Sequence, residues 1–316
     1  MRSSRSAIRT TPTSPGTSDV TDRPPNPWIM AARPATLPAG IAPVLIGAAS
    51  AFADNVFALL PFVVVLFSAL MIQIGVNYAN DLADAQKGAD TEARIGPQRA
   101  VASGVISEGD MKRGIAVAFG LAALGGIYLI WYAGWPIFVI GIVSIIAALG
   151  YTNGPIPYGY YGLGEVFVFV FFGLVATAGT RYVFSPSVPA AVWTSGVVMG
   201  LLAAAILEAN NIRDIDTDRD AGKRTLAVVL GRDRARKLYA ATVFGSFVII
   251  AFGSLVGLLP ITALFALVCA PLAIPLVKTV FTETAGPPLI GVLKGTAQLQ
   301  LFTGLLLALG LLFDLS

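Results

Sequence analysis

The chain has 316 residues, 56% of them hydrophobic and only 12% charged, with a mean hydropathy of +0.77 and a formal net charge of +3. A soluble domain carries about 25% charged residues, so a chain this apolar has lipid as its solvent. It contains no histidine, which excludes histidine-ligated zinc or haem, Ser-His-Asp triads and imidazole proton relays. Its one cysteine, Cys269, excludes an intrachain disulfide and reads as a small buried hydrophobe.

In chain order, residues 1–27 are rich in Arg, Ser, Thr and Pro and lack the apolar core of a signal peptide. They read as a disordered cytosolic tail. Nine apolar segments follow, at 35–53, 57–80, 112–132, 135–151, 162–184, 190–212, 237–258, 261–280 and 289–313. About 20 apolar residues cross a hydrocarbon core, and the runs are continuous rather than alternating, which excludes a β-barrel. The predicted fold is therefore all-α: a polytopic membrane bundle of nine transmembrane helices forming one domain over 28–316. Pro61, Pro136, Pro189 and Pro260 sit near segment starts, where a missing N–H does no harm.

Charge sets the orientation. With nine spans, the tail and the even-to-odd connections collect 20 of the 21 Lys and Arg residues, leaving Arg181 alone on the other side. The positive-inside bias then places the N-terminus in the cytosol.

Two of the basic connections resemble each other. One begins NYANDLADAQKGAD at Asn77 and the other NNIRDIDTDRDAGKRTL at Asn210, and each has an Asn followed four residues later by an Asp. They suggest a diverged internal duplication with a site between the halves. If the second span stays helical, Asn77, Asn80, Asp81 and Asp84 share one face, as do Asp214 and Asp218 after the sixth. Asp90, Asp216 and Asp220 lie close by in sequence. Clustered carboxylates near lipid need a counter-charge, and an oxygen-only ligand set suits Mg²⁺ bridging to substrate phosphates. Lys87, Arg94, Arg99, Lys223 and Arg224 complete a polyanion site. Ordinary solvated, topology-setting charge accounts for Arg232, Arg234, Arg236 and Lys237. It does not account for carboxylates at helical spacing in two matching places.

These residues resemble a known family. NDLAD at 80–84, and DIDTD at 214–218 followed by GKRT, are similar to the two Asp-rich motifs of the UbiA-type intramembrane prenyltransferases. RPATLPAGIAPVLIG at 33–47, RAVASG at 99–104 and YTNGPIPYGYYGLGE at 151–165 point to the branch acting on 1,4-dihydroxy-2-naphthoate in menaquinone synthesis. The wider family's first motif ends in an Asp where this chain has Gly88; the naphthoate branch has an Asp after Lys-Gly instead, matched by Asp90.

The resemblance implies Asn80, Asp84, Asp214 and Asp218 as metal–diphosphate ligands, with Asp90 as an additional one and Asp81 either a further ligand or a support behind the ligands. It implies Mg²⁺ as cofactor and a polyprenyl diphosphate as donor, with Lys87, Arg99, Lys223 and Arg224 on the diphosphate. Ionisation of the allylic C–O bond would be followed by ring attack and loss of CO₂, in the cytosolic half of a bacterial inner membrane. Lys223, Tyr151 and Glu165 are the catalytic candidates, the last because an acid inside an apolar span is expensive; Glu208 is placed like it. Arg33, Asn153 and Tyr160 are candidate acceptor contacts. Gln73 and Gln298 line the cavity or bond between helices. The rival readings are a sibling enzyme with 4-hydroxybenzoate or homogentisate as acceptor, and a cation-coupled transporter with essential charges near the bilayer midplane.

Overall fold

The computed structural model describes residues 26–87, 99–152, 157–284 and 286–313. Among them every regular element is a helix: α1 (Pro27–Ala32), α2 (Pro38–Ala53), α3 (Leu59–Gln86), α4 (Glu108–Ala133), α5 (Trp135–Gly150), α6 (Gly164–Val168), α7 (Ala176–Phe184), α8 (Ala190–Arg213), α9 (Ile215–Asp220), α10 (Leu226–Leu230), α11 (Arg232–Leu255), α12 (Ala270–Thr282) and α13 (Pro287–Leu312). A π-helical stretch, Phe169–Val175, joins α6 to α7, and a 3₁₀ stretch, Ile261–Cys269, leads into α12.

Each of the nine expected segments falls on a helix, but the helices are not nine equal spans. Seven are long and apolar enough to cross a membrane alone. The first segment is a broken pair, bent by 54° between Pro27–Thr36 and Pro38–Ala53. Arg33 sits at that break with φ 51, followed by Pro34 and Pro38, which cannot continue a helix begun upstream. The fourth, α5, has 16 residues and is about 24 Å long at 1.5 Å per residue.

Lipid offers no hydrophobic drive between helices, so small residues bring backbones together. The core lies where α8 meets α2, α11 and α13, around Ile46, Met199, Leu202, Tyr239, Ile250, Leu299 and Leu307. Gly173, Gly196 and Gly200 let the π-helical stretch lie directly on α8: a Cβ at Gly173 would stand 2.5 Å from the Gly196 carbonyl oxygen and 2.5 Å from the Gly200 Cα. The outer faces of α4 and α5 carry exposed Leu124, Ile127, Trp131, Trp135 and Ile146, as lipid contact requires.

Two features pin the ends. Arg181, the lone basic residue on its side, is buried and paired with Asp54 at the end of α2. At the opposite end, Arg232 donates to the carbonyls of Ile212 (3.0 Å) and Thr284 (2.7 Å), and Arg236 to that of Glu283. These two arginines tie α8, α11 and the end of α12 together, beyond the topological role expected of them. Gln298 is exposed on α13; Gln300, buried, donates instead to the Met199 carbonyl at 3.1 Å.

Because backbone cannot retreat, Gly200→Ala is expected to cost about 1–3 kcal/mol: its Cβ would stand 2.6 Å from the Phe169 carbonyl oxygen. Gly245→Ala, which meets open space, should be neutral. Thermal melting of both variants in detergent checks this, and equal melting temperatures would contradict the close-contact assignment.

Candidate active site

The cavity follows from one stripe on α3. Val65, Ser68, Ala69, Ile72, Gln73, Val76, Asn77, Asn80 and Asp84 recur at three- and four-residue intervals and all line a cavity of ≈ 520 Å³. Val65 and Asp84 are about 28 Å apart along the helix axis, close to a hydrocarbon thickness. The far end is apolar, with Val44, Leu129, Ile137 and Val183; the near end carries Arg99, Tyr160, Asn210, Asp214, Asp218 and Lys223. Ile127, Phe138 and Ile142 line the cavity yet are exposed on the outer surface, so this wall is open toward lipid.

Asp84 is the hub. Its Oδ1 accepts from the Tyr160 hydroxyl (2.8 Å) and from Lys223 Nζ (3.0 Å), and its Oδ2 from Arg99 (3.0 Å). The same Lys223 ammonium lies 3.8 Å from Asp218 Oδ1, so one cation touches both Asp-rich motifs. Two ammonium groups approach the Tyr160 ring, Lys87 at 4.2 Å and Lys223 at 4.9 Å from its centroid. Lys87 also donates to the Thr152 carbonyl (2.6 Å), while the Thr152 hydroxyl donates to Asn80 Oδ1 (3.0 Å), knitting the end of α3 to the turn after α5. Burial pulls the Lys87 ammonium below its ordinary pKa; Lys223 pulls the same way and Asp84 opposes.

The second motif is held differently. Asp214 ends α8, and Arg213, its neighbour in sequence, grips both its carboxylate oxygens while also donating to Asn210 Oδ1 at 2.9 Å. The backbone bond from Asp218 to the Asp214 carbonyl (2.7 Å) carries helical spacing across the kink into α9. Sequence reading had given Arg213 and Thr152 no site role. Arg213 is visible only as the residue adjoining a motif Asp, and Thr152 only as a member of the 151–165 block.

Several expected site residues stand elsewhere. Asp81 does not line the cavity: its two oxygens accept from the backbone N–H groups of Ala100 (3.2 Å) and Val101 (3.0 Å), anchoring the segment that delivers Arg99. The Arg224 side chain is exposed and off the cavity wall; its backbone N–H donates to the Tyr160 carbonyl at 2.9 Å. Glu165 is buried behind the wall, where it accepts from Asn211 (2.8 Å). Asp216 is exposed, paired with Arg219 and Arg232. Glu208 accepts from the Thr242 hydroxyl (3.1 Å) between α8 and α11. Asp90, Arg94 and Asn153 lie outside the described residues.

Other expectations do meet the cavity. Arg33 lines it, at the break before α2. Tyr151 lines it too, edge-on to Tyr158 at 5.5 Å. Tyr158 stacks on Phe167 at 3.7 Å and Phe167 on Phe171 at 6.1 Å, giving an aromatic wall below Asp84. Phe171 belongs to the π-helical stretch, a geometry often found at functional sites.

The donor set fits Mg²⁺. Asn80, Asp84, Asp214 and Asp218 offer only oxygen, and an ammonium already occupies the bridging position between the motifs. No group of three acidic or cysteine side chains among the described residues forms a metal cage by itself.

A lipid-facing helical bundle with paired acidic motifs at the head of an apolar cavity defines an intramembrane protein with its polar site at one end of the bundle. The chain belongs to the UbiA prenyltransferase family, whose profile matches residues 40–288. It is 37% identical over 290 residues to a 1,4-dihydroxy-2-naphthoate octaprenyltransferase of Escherichia coli (strain K12), covering 90% of this chain and 94% of that one. It is likewise 37% identical over 293 residues to the protein of the same name from Mycobacterium tuberculosis, covering 90% and 97%. A UbiA homolog from Archaeoglobus fulgidus bound to DMAPP and Mg²⁺ shares the fold, with a TM-score of 0.62 at 17% identity over 90% of this chain and 99% of that one. So does an apo UbiA homolog from Aeropyrum pernix K1, with a TM-score of 0.65 at 17% identity over 88% and 98%.

Asp81→Ala removes a charged acceptor from two backbone amides, a loss of about 1.5–3 kcal/mol for such hydrogen bonds. Hydrogen exchange across residues 99–104 should then speed up markedly, with Asp81→Asn intermediate. Unchanged exchange would show that Asp81 does not hold this segment.

Proposed function

We propose that the protein transfers a polyprenyl group from a polyprenyl diphosphate to 1,4-dihydroxy-2-naphthoate, releasing diphosphate and CO₂. The observation that carries this reading is the meeting of Asp84 and Asp218 at Lys223, at the polar head of a long apolar cavity. The names of the relatives support the naphthoate acceptor, and the homolog solved with DMAPP and Mg²⁺ supports the donor class.

Asn80, Asp84, Asp214 and Asp218 would hold a Mg²⁺ ion, which would supply charge neutralisation at the diphosphate. Lys223 and Arg99 hold the leaving oxygens, with Lys87 at the mouth, so the bonding pair departs with the diphosphate as the allylic C–O bond ionises. Tyr158, Phe167 and Phe171 present π faces to the allylic cation, within a cavity shaped for a hydrocarbon tail. Arg33 pairs with the acceptor's carboxylate, and Tyr151 donates to the bound ring. The ring's electrons form the new C–C bond; as the carboxylate leaves as CO₂, its bonding pair restores aromaticity. Tyr160 spends its hydroxyl on Asp84, so its role is to position that carboxylate rather than to bind acceptor. Glu165 acts through Asn211, as a support behind the wall.

A transporter would set its charged groups along the path; here the charged cavity-lining residues, Arg33, Asp84, Arg99, Asp214, Asp218 and Lys223, gather at one end. The basic flank at that end supports chemistry on the cytosolic side of a bacterial inner membrane.

The test uses membranes with labelled naphthoate, a polyprenyl diphosphate, and Mg²⁺ present or chelated. Wild type should give a decarboxylated, lipid-extractable product only with Mg²⁺, and Asp84→Asn should lower the rate about a hundredfold or more. Turnover of 4-hydroxybenzoate but not naphthoate would move the acceptor to a sibling. Folded protein that prenylates no aromatic acid would overturn the reading.

A further inference from the structure

Gln73 stands out among the cavity residues. It lies on the α3 stripe four residues before Asn77 and eleven before Asp84, or about 6 Å and about 16 Å away along the helix axis. Its side chain is 7% exposed and lines the cavity, yet its amide makes no hydrogen bond with any described residue, and its Oε1 is fully enclosed. A buried amide oxygen left without a donor is destabilising. Nothing in a hydrocarbon tail relieves that.

Toward the head, the polar groups on the stripe are already in use; below Gln73 the Ser68 hydroxyl, which also lines the cavity, is likewise enclosed without a partner. Asn77 donates to the Ala32 carbonyl (2.8 Å) and toward the Thr36 hydroxyl (3.4 Å), which fixes the break carrying Arg33 beside it. Asn80 accepts from Thr152. Starting from Asp84, the distance to Gln73 accommodates in turn a diphosphate, the allylic carbon and one aromatic ring. Of the two substrates in the reading above, only the aromatic acceptor carries a hydrogen-bonding group at that depth. We propose that Gln73 binds a ring hydroxyl of the acceptor, the one remote from its carboxylate, and so selects for a second hydroxyl beyond the carboxylate that Arg33 takes. This assignment rests on the transferase reading, and adds to it the group that distinguishes a diol from a monophenol.

The experiment measures binding of 1,4-dihydroxy-2-naphthoate and of 1-hydroxy-2-naphthoate, which lacks the remote hydroxyl, to wild type and Gln73→Leu in nanodiscs without prenyl diphosphate. Acceptor and donor KM values are measured beside it. Gln73→Leu should weaken the diol about tenfold, leave the donor KM unchanged, and bind the monohydroxy acid as wild type does. Gln73→Met carries the same comparison should the leucine variant fail to fold. Equal binding of the diol by wild type and variant would overturn the proposal, as would equal losses for both ligands, since that reports a change of shape. If wild type ignores both naphthoates but binds 4-hydroxybenzoate, and Gln73→Leu weakens that, the acceptor assignment falls while Gln73 as a hydroxyl partner stands. Wild type that binds no phenolic acid overturns both.

Discussion

A carboxylate buried at the end of an apolar helix must be paired, because an unpaired charge out of water is costly. Asp84 meets that requirement with Arg99 from the segment after α3, Tyr160 from the turn before α6, and Lys223 from the segment after α9. Three stretches distant in sequence are thereby drawn to one point. Lys223 also reaches Asp218, so the pairing that stabilises the resting site holds the two motif-bearing halves of the chain together. Under the proposed function, a bound metal–diphosphate would exchange one set of cations for another, so that the carboxylates keep a partner throughout.

The rest of the bundle supplies what that point needs. Glycine contacts between the π-helical stretch and α8 bring the aromatic wall close to the helix that ends in Asp214. On the other side, the outward faces of α4 and α5 leave the cavity wall open to lipid, suited to a tail too apolar to cross water. Arg232 and Arg236 close the helix ends around the head of the site. The chemistry is thus confined to one end, while the cavity runs the depth of the bilayer.

Much of this was written in helical spacing. The period that put Asn77, Asn80 and Asp84 on one face continues down α3 as the cavity stripe, and continuous apolar runs located every long helix. Spacing alone did not separate Asp81 from its neighbours. Asn80 and Asp81 differ by about 100° around the helix, and which of them faces the cavity is decided by where Ala100 and Val101 dock, a contact across the chain. Likewise Glu165 lay in the right stretch but behind the wall, because Asn211 on α8 takes its carboxylate. The break at Arg33 needed backbone geometry, and Gln73 needed an inventory of its missing partners. Arg213 shows the limit from the other side: charge counting assigned it to topology, while its guanidinium grips the next residue.

The most direct test of this picture is to locate the metal. A structure with Mn²⁺ in place of Mg²⁺ and an unreactive prenyl thiodiphosphate would identify the ion by its anomalous signal. Asp84 and Asp218 oxygens should both approach it, at about 2.1 Å as for Mg²⁺, with Lys223 moved from Asp84 onto the diphosphate. An ion bound away from Asp84, with the Lys223–Asp84 pair intact, would contradict the claim that both motifs build one cation site.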